Sequence, residues 1–371
     1  MIMRYTQKIF RTKNIYDLEA GNEDFTKAII ENVRYHKTHC APYAQLLHQQ
    51  QFSLDTIHSV DDLYQIPAIP TAFFKNHTWY SADPNRLLWK STSSGTSGKK
   101  SEMGFDYPSF FRFASMALNS AVFTHKLFSV IPANYIILGY EPAHHNHMGA
   151  VKTANAATFT APALHKEYAL KDTGTGYQLN LDGIKQALLR YNKSLFPVRI
   201  VGFPAYFLFL LRELQADGIK LQLHPKSLVM LGGGWKQFFA EEVSKEALYA
   251  LAKEVLGIHE SRIHELFGVV EHSVAYFDCP HHHFHVPAYA RVIIRDINMN
   301  PLGYGEPGLL NLITPMFTSV PFTSIITDDL AILYPGESCG CGLKAPYFEI
   351  LGRVGQKDLK TCAAKASDLL L

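Results

Sequence analysis

Apolar residues recur near helical spacing early in the chain, at Phe25, Ile29, Ile30, Val33 and Tyr35, and again over 43–50 behind Pro42. This pattern predicts an amphipathic helical cap over residues 1–86. Residues 66–71, Ile-Pro-Ala-Ile-Pro-Thr, read as an extended connector, because each proline keeps its predecessor out of the α region. From Leu87 the period changes. Short apolar runs at 135–138, 198–202, 227–231 and 263–267 alternate with helical patterns over 107–128, 182–192, 205–216 and 237–255. Such alternation predicts an α/β core over 87–272, a mostly parallel sheet flanked by helices, with ligands at the carboxyl ends of the strands. After about Ser273 the helical patterns vanish. Runs rich in Val, Ile and aromatic residues at 284–286, 290–296, 308–313, 323–327 and 331–334 predict a small β-rich subdomain over 273–352, followed by a tail over 353–371.

Composition narrows the function classes without choosing one. The 371 residues carry a net charge of +2 with 18% charged and 47% hydrophobic positions, an ordinary globular balance with no basic stripe for nucleic acid. The longest apolar run, 203–211, contains Pro204 and stops at Arg212, too short to span a bilayer. Its letters suit a buried core helix at least as well as the lining of an acyl tunnel. Residues 1–13 hold cations but no apolar segment follows, so no signal peptide and a cytoplasmic location are expected. Five cysteines in a chain of this size do not form a disulfide framework.

The chemistry concentrates at Ser93-Ser94-Gly95-Thr96-Ser97-Gly98-Lys99-Lys100-Ser101. Glycines let main-chain N–H groups turn toward an anion, hydroxyls add donors, and lysine adds a point charge, so the segment has the composition of a phosphate grip. A Walker A pattern cannot be threaded through it, and a flexible linker has similar letters. Downstream, Gly232, Gly233 and Gly234 close an expected strand. Phe267, Gly268 and Glu271 follow another, offering a ring to stack on a base and a carboxylate for Mg²⁺. Thr327-Asp328-Asp329 is expected to end a strand, where an aspartate can grip a ribose, and Arg353 closes the β-rich part. A second cluster, Cys279-Pro280-His281-His282-His283-Phe284-His285 with Cys339-Gly340-Cys341, supplies three thiols and a choice of imidazoles, the donor set of a structural zinc site. His285, in the strand expected from Phe284, is the favoured fourth ligand, and His283 is the alternative. Free thiols on β-turns are the competing reading. Histidines at 144, 145 and 147 read as surface residues.

The order of these motifs resembles that of the acyl-adenylating (ANL) superfamily over about residues 87–353. Within it the chain is similar to the acyl-protein synthetase family, the LuxE-type fatty acid–protein ligases. The likeness rests on residues 66–75, 92–101 and 232–236, on Val270-Glu271 and on Thr327-Asp328-Asp329. It implies that Ser93 to Lys100 hold the phosphates of ATP, with Lys99 and Lys100 offsetting charge. It also implies that Gly232, Gly233, Gly234, Phe267 and Gly268 flank adenine, that Glu271 binds Mg²⁺, and that Asp329 with Arg353 takes the ribose. The Cys279, His285, Cys339, Cys341 set resembles one in phenylacetate-CoA ligase-like relatives. Two departures from the wider superfamily, Val270 for threonine and Asp328 for glycine, weaken a simple CoA-ligase assignment.

The tail bears on the acyl acceptor. CoA-ligating relatives carry a mobile C-terminal domain of about a hundred residues that rotates to admit the thiol, and the eighteen residues after Arg353 have no room for one. They hold Cys362 among Lys357, Lys360 and Lys365, cations that favour a thiolate nucleophile. The family resemblance implies that such a near-terminal cysteine takes the acyl group and passes it to a fatty acyl reductase subunit (LuxC-like), with an acyltransferase subunit as a further partner. The resulting expectation is activation of a long-chain fatty acid as acyl-AMP and its transfer to Cys362 as a thioester. The alternatives are an aryl- or acyl-CoA or carrier-protein ligase, and a non-catalytic adenylate-binding protein.

Overall fold

The computed structural model describes residues 4–92, 102–144, 146 and 148–354, and the chain divides into two compact units. One holds residues 126–267. The other combines residues up to 125 with those from 268 onward.

The 126–267 unit is the α/β part. Its strands lie in the spatial order Ile263–Phe267, Leu228–Gly232, Val198–Gly202, Ala133–Tyr140, Ala163–Asp172, Tyr177–Leu179. The first five are mutually parallel, and the last is antiparallel at the edge. Val198–Gly202 is almost wholly buried, as a central parallel strand must be, and its one charged side chain, Arg199, is held by Nη1 bonds to the Leu127 carbonyl at 2.7 Å and to Thr160 Oγ1 at 2.6 Å. The Pro204–Ala216 helix starts with proline at a position where its missing N–H costs no bond. Its Phe207, Leu208, Leu210, Leu211 and Leu214 enter one core with Ile136, Ile200, Val229, Leu248 and Val255. Each such side chain contributes about 1.5–3 kcal/mol by leaving water. The run at 203–211 is therefore mainly core. The helix expected over 237–255 is shorter. Ser244 Oγ accepts the Ala247 N–H at 3.2 Å and starts it at Lys245, while Lys236–Glu241 forms a separate tight turn.

The other unit is built on an antiparallel sheet in the order Phe284–His285, Tyr347–Arg353, Ser324–Tyr334, Pro307–Ile313, Arg291–Arg295, with Ile69–Pro70 running parallel to Ser324–Tyr334. The Asn22–His39 helix buries Phe25, Ala28, Ile29 and Val33 at the spacing that predicted it. It also buries Asn32, whose Nδ2 donates to the Phe317 carbonyl at 2.6 Å and whose Oδ1 accepts from Thr323. Trp89–Thr92 and Glu102–Phe105 form a separate two-stranded hairpin leading into the Tyr107–Ala117 helix. That helix was expected to reach residue 128. It passes instead into a wider π-type turn, Leu118–Thr124.

One difference touches the candidate site. Residues 323–327 and 331–334 were expected as two strands with Asp328 and Asp329 at the end of the first. They form one continuous strand, Ser324–Tyr334, and Asp329 lies in its middle. Two adjacent carboxylates look like a break in a sequence pattern, but cross-strand pairing satisfies the backbone, and a register irregularity between Leu330 and Ala331 sits beside them.

Candidate active site

Antiparallel pairing of Ser324–Tyr334 with Tyr347–Arg353 puts Asp329 directly opposite Arg353. Arg353 Nε donates to Asp329 Oδ1 at 2.8 Å. The aspartate side chain is 8% exposed and the arginine side chain 51%, so the carboxylate is held by the sheet while half of the arginine side chain stays accessible. Asp329 N–H donates to Thr327 Oγ1 at 3.1 Å, which fixes the backbone two residues before it. Asp329, Asp328 and Glu271 act together on Arg353, whose pKa is raised first by the charge of Asp329 against the opposing effect of burial, with the Asp329 hydrogen bond, Asp328 and Glu271 adding to the rise. Glu271 is buried in the turn after Ile263–Phe267, a turn closed by the His272 and Ser273 N–H groups, which both donate to the Val269 carbonyl. Carboxylate acceptor and guanidinium donor thus lie side by side, as recognition of a vicinal diol or a phosphate requires. Thr327 was placed by the sequence as part of a motif, but its role in fixing Asp329 needed the strand geometry.

Within the other unit, Gly232 ends its strand, and Gly233 and Gly234 follow with φ of +82° and +64°. That left-handed backbone explains a glycine pair at this turn. Phe267 is the last residue of its own strand, and Gly268 follows it. Ser93, Ser94, Gly95, Thr96, Ser97, Gly98, Lys99, Lys100 and Cys362 lie outside the described residues.

The cysteine–histidine cluster comes together as expected. Cys279, His285, Cys339 and Cys341 each offer one ligand atom, and these atoms all lie within 4.8 Å of one another. Cys279 Sγ is 3.6 Å from Cys339 Sγ, and Cys341 Sγ is 3.2 Å from His285 Nε2. His285 Nδ1 lies 2.6 Å from the Ala345 carbonyl, an acceptor only, so Nδ1 carries the proton and Nε2 turns its lone pair to the sulfurs. His283 approaches with Nδ1 at 3.1 Å from Cys339 Sγ, while its other nitrogen faces Glu349 at 3.4 Å. Burial pushes the Cys339 thiol up to about 12 and raises Cys279 as well. A divalent cation reverses that preference and holds thiolates, so the set fits a tetrahedral, closed metal site.

A model of the family described as acyl-protein synthetase, LuxE, matches residues 10–370. The long-chain-fatty-acid–luciferin-component ligase of Aliivibrio fischeri is 23% identical over 379 residues, covering 98% of this chain and 93% of its own. The enzyme of the same name from Vibrio harveyi is 24% identical over 316 residues, covering 83% and 79%. Among solved structures, an open conformation of 2-hydroxyisobutyryl-CoA ligase with 2-HIB-AMP and CoA superposes with a TM-score of 0.68 at 14% identity, covering 93% of this chain and 77% of that one. At that identity the likeness establishes a shared fold, that of the adenylate-forming ligases. No helix among the described residues is long and apolar enough to cross a membrane. The chain belongs to the acyl-protein synthetase family, LuxE, and is a ligase of the acyl-adenylate-forming kind.

Proposed function

We propose that this protein activates a long-chain fatty acid with ATP and then takes the acyl group onto its own Cys362. In the first half-reaction a carboxylate oxygen of the acid attacks the α-phosphorus of ATP, forming acyl-AMP and expelling pyrophosphate. Ser93 to Gly98 hold the phosphates, and Lys99 and Lys100 offset the charge that develops on the leaving group. Asp329 accepts from the ribose hydroxyls and Arg353 holds that carboxylate in place. Gly232, Gly233, Gly234, Phe267 and Gly268 flank the adenine. Mg²⁺, held by Glu271, would neutralise phosphate charge. In the second half-reaction the Cys362 thiolate attacks the acyl carbon, AMP leaves, and a thioester remains for delivery to an acyl reductase partner in the cytoplasm, with an acyltransferase subunit as a second partner. Cys279, His285, Cys339 and Cys341 would hold a zinc ion that ties the strand at Phe284–His285 to the turn at Cys339, a structural role.

The observation that carries this reading is the extent of the family match. It runs from residue 10 to residue 370, through the Ser/Gly/Lys segment and through Cys362 alike. Incubation with ATP, Mg²⁺ and labelled tetradecanoate should leave hydroxylamine-sensitive label on the wild-type protein and none on Cys362→Ser, which should still release pyrophosphate. Pyrophosphate release with CoA consumption and an unlabelled wild type would refute transfer to Cys362.

A further inference from the structure

The hairpin of Trp89–Thr92 and Glu102–Phe105 carries residues 93–101 between strands of only four residues each, and it pairs with no third strand among the described residues. A two-stranded ribbon of that length is marginal by itself. Its position has to come from what grips its base.

That grip is concentrated on one distant loop. Asp106, the residue after the second strand, is buried and caps the Tyr107–Ala117 helix by accepting the Ser109 N–H at 3.1 Å and the Ser109 hydroxyl. Capping needs no more than this. Yet the second carboxylate oxygen accepts from Thr318 Oγ1 at 2.7 Å, and Thr318 N–H returns to Ser109 Oγ at 2.9 Å. The flanking residues repeat the pattern. Ser319 Oγ donates to the Gly104 carbonyl, Phe317 packs on Phe105 with ring centres 5.2 Å apart, and buried Arg112 donates Nη1 to the Met316 carbonyl at 2.8 Å. Phe317, Thr318 and Ser319 thus touch Phe105, Asp106 and Gly104, and Met316 holds Arg112 of the helix that follows. The same segment leads through Thr323 into Ser324–Tyr334, the strand that carries Asp329.

We propose that Asp106, Ser109 and Thr318 are positioning residues that lock the base of the hairpin of Trp89–Thr92 and Glu102–Phe105 to the strand of Asp329, and so set the phosphate-binding residues proposed above relative to the ribose side of the nucleotide site. The inference rests on the function proposed above, and it concerns ATP rather than the acid. A clamp of this kind moves no proton and touches no reacting atom. It sets where the phosphate donors emerge, and displacement by about 1 Å at such a place can cost on the order of a hundredfold in rate.

Thr318→Val keeps shape and removes the donor to Asp106, whereas Thr318→Ser keeps the hydroxyl. Binding of MgATP, measured by calorimetry, and fatty-acid-dependent ATP–pyrophosphate exchange should separate the two. Thr318→Val should weaken MgATP binding and raise KM for ATP by about tenfold with KM for tetradecanoate unchanged, and Thr318→Ser should restore both close to wild type. Ser109→Ala, which leaves the Thr318–Asp106 bond, should shift KM for ATP in the same direction and provides the readout if Thr318→Val does not fold. Wild-type affinity for MgATP in folded Thr318→Val, or in Ser109→Ala where Thr318→Val does not fold, overturns the clamp, as does an equal loss toward ATP and acid. A wild type that binds MgATP but shows no acid-dependent exchange refutes the proposed function alone, because the binding measurement still decides the clamp. A wild type that binds no MgATP refutes both.

Discussion

Acidification through the histidine range should weaken the unit that holds residues 4–125 and 268–354, because two of its histidines are buried in neutral form. His36 is fully buried, with Nδ1 at 2.7 Å from Ser81 Oγ and Nε2 at 3.1 Å from the Phe317 carbonyl, and burial lowers its pKa from 6.5 to about 3. His272 is fully buried against Tyr276, with Nε2 at 2.8 Å from the hydroxyl, and burial again lowers it to about 3. A folded pKa below the unfolded one means that the unfolded chain takes up protons the folded chain refuses. The stabilisation is complete above 6.5 and drains away as pH falls from there toward 3. Between pH 7.5 and 5.5 each histidine should withdraw about 1.4 kcal/mol, and the two together about 3 kcal/mol. Urea unfolding in a Trp235→Phe background reads this unit through Trp79 and Trp89. With a slope of about 3 kcal/mol per molar, the midpoint should fall by about 1 M over that range. His36→Asn should remove about 1.4 kcal/mol of the pH dependence. A midpoint that holds steady or rises as pH drops from 7.5 to 5.5 would refute buried neutral histidines in this unit.

The metal cluster gives a second expectation: zinc should copurify at one equivalent per chain, and Cys341→Ser should lose it together with several degrees of melting temperature, since binding at such sites contributes directly to folding. Metal analysis with a thermal melt checks this, and full stability after chelation would count against it. Gly202→Ala should destabilise the 126–267 unit by about 2 kcal/mol or more, because a Cβ there would lie 2.3 Å from the Leu138 carbonyl oxygen, a backbone atom with nowhere to move. Unfolding followed through Trp235 reads it, and a wild-type midpoint would contradict the close approach of these strands.

Much of the α/β unit was legible because its strands are short, mostly apolar and separated by long amphipathic periods. Val198–Gly202 and Ile263–Phe267 fall where the pattern placed them. The metal cluster was legible for a different reason, since Cys-x-Cys and a Cys-to-His run are local signals that survive without knowledge of the fold. Asp329 was recognised as a residue but misplaced as a strand end, because adjacent carboxylates mimic a turn when the cross-strand arginine is not in view. The helix at 237–255 was overextended because periodicity does not register an N-cap serine inside an apolar pattern. The Asp106–Ser109–Thr318 contacts had no sequence signal at all. Thr318 is more than two hundred positions from its partners, and single hydroxyl residues in loops carry no period.

Activation of an acid by ATP, at a site where Asp329 paired to Arg353 would hold the ribose, is the step on which the proposed function turns. Fatty-acid-dependent exchange of labelled pyrophosphate into ATP measures that step without reference to the acceptor. Exchange is expected from the wild type and from Cys362→Ser, with a loss on the order of a hundredfold in Asp329→Ala with the fold intact. Undiminished exchange in Asp329→Ala, or none in the wild type with any long-chain acid, would contradict it.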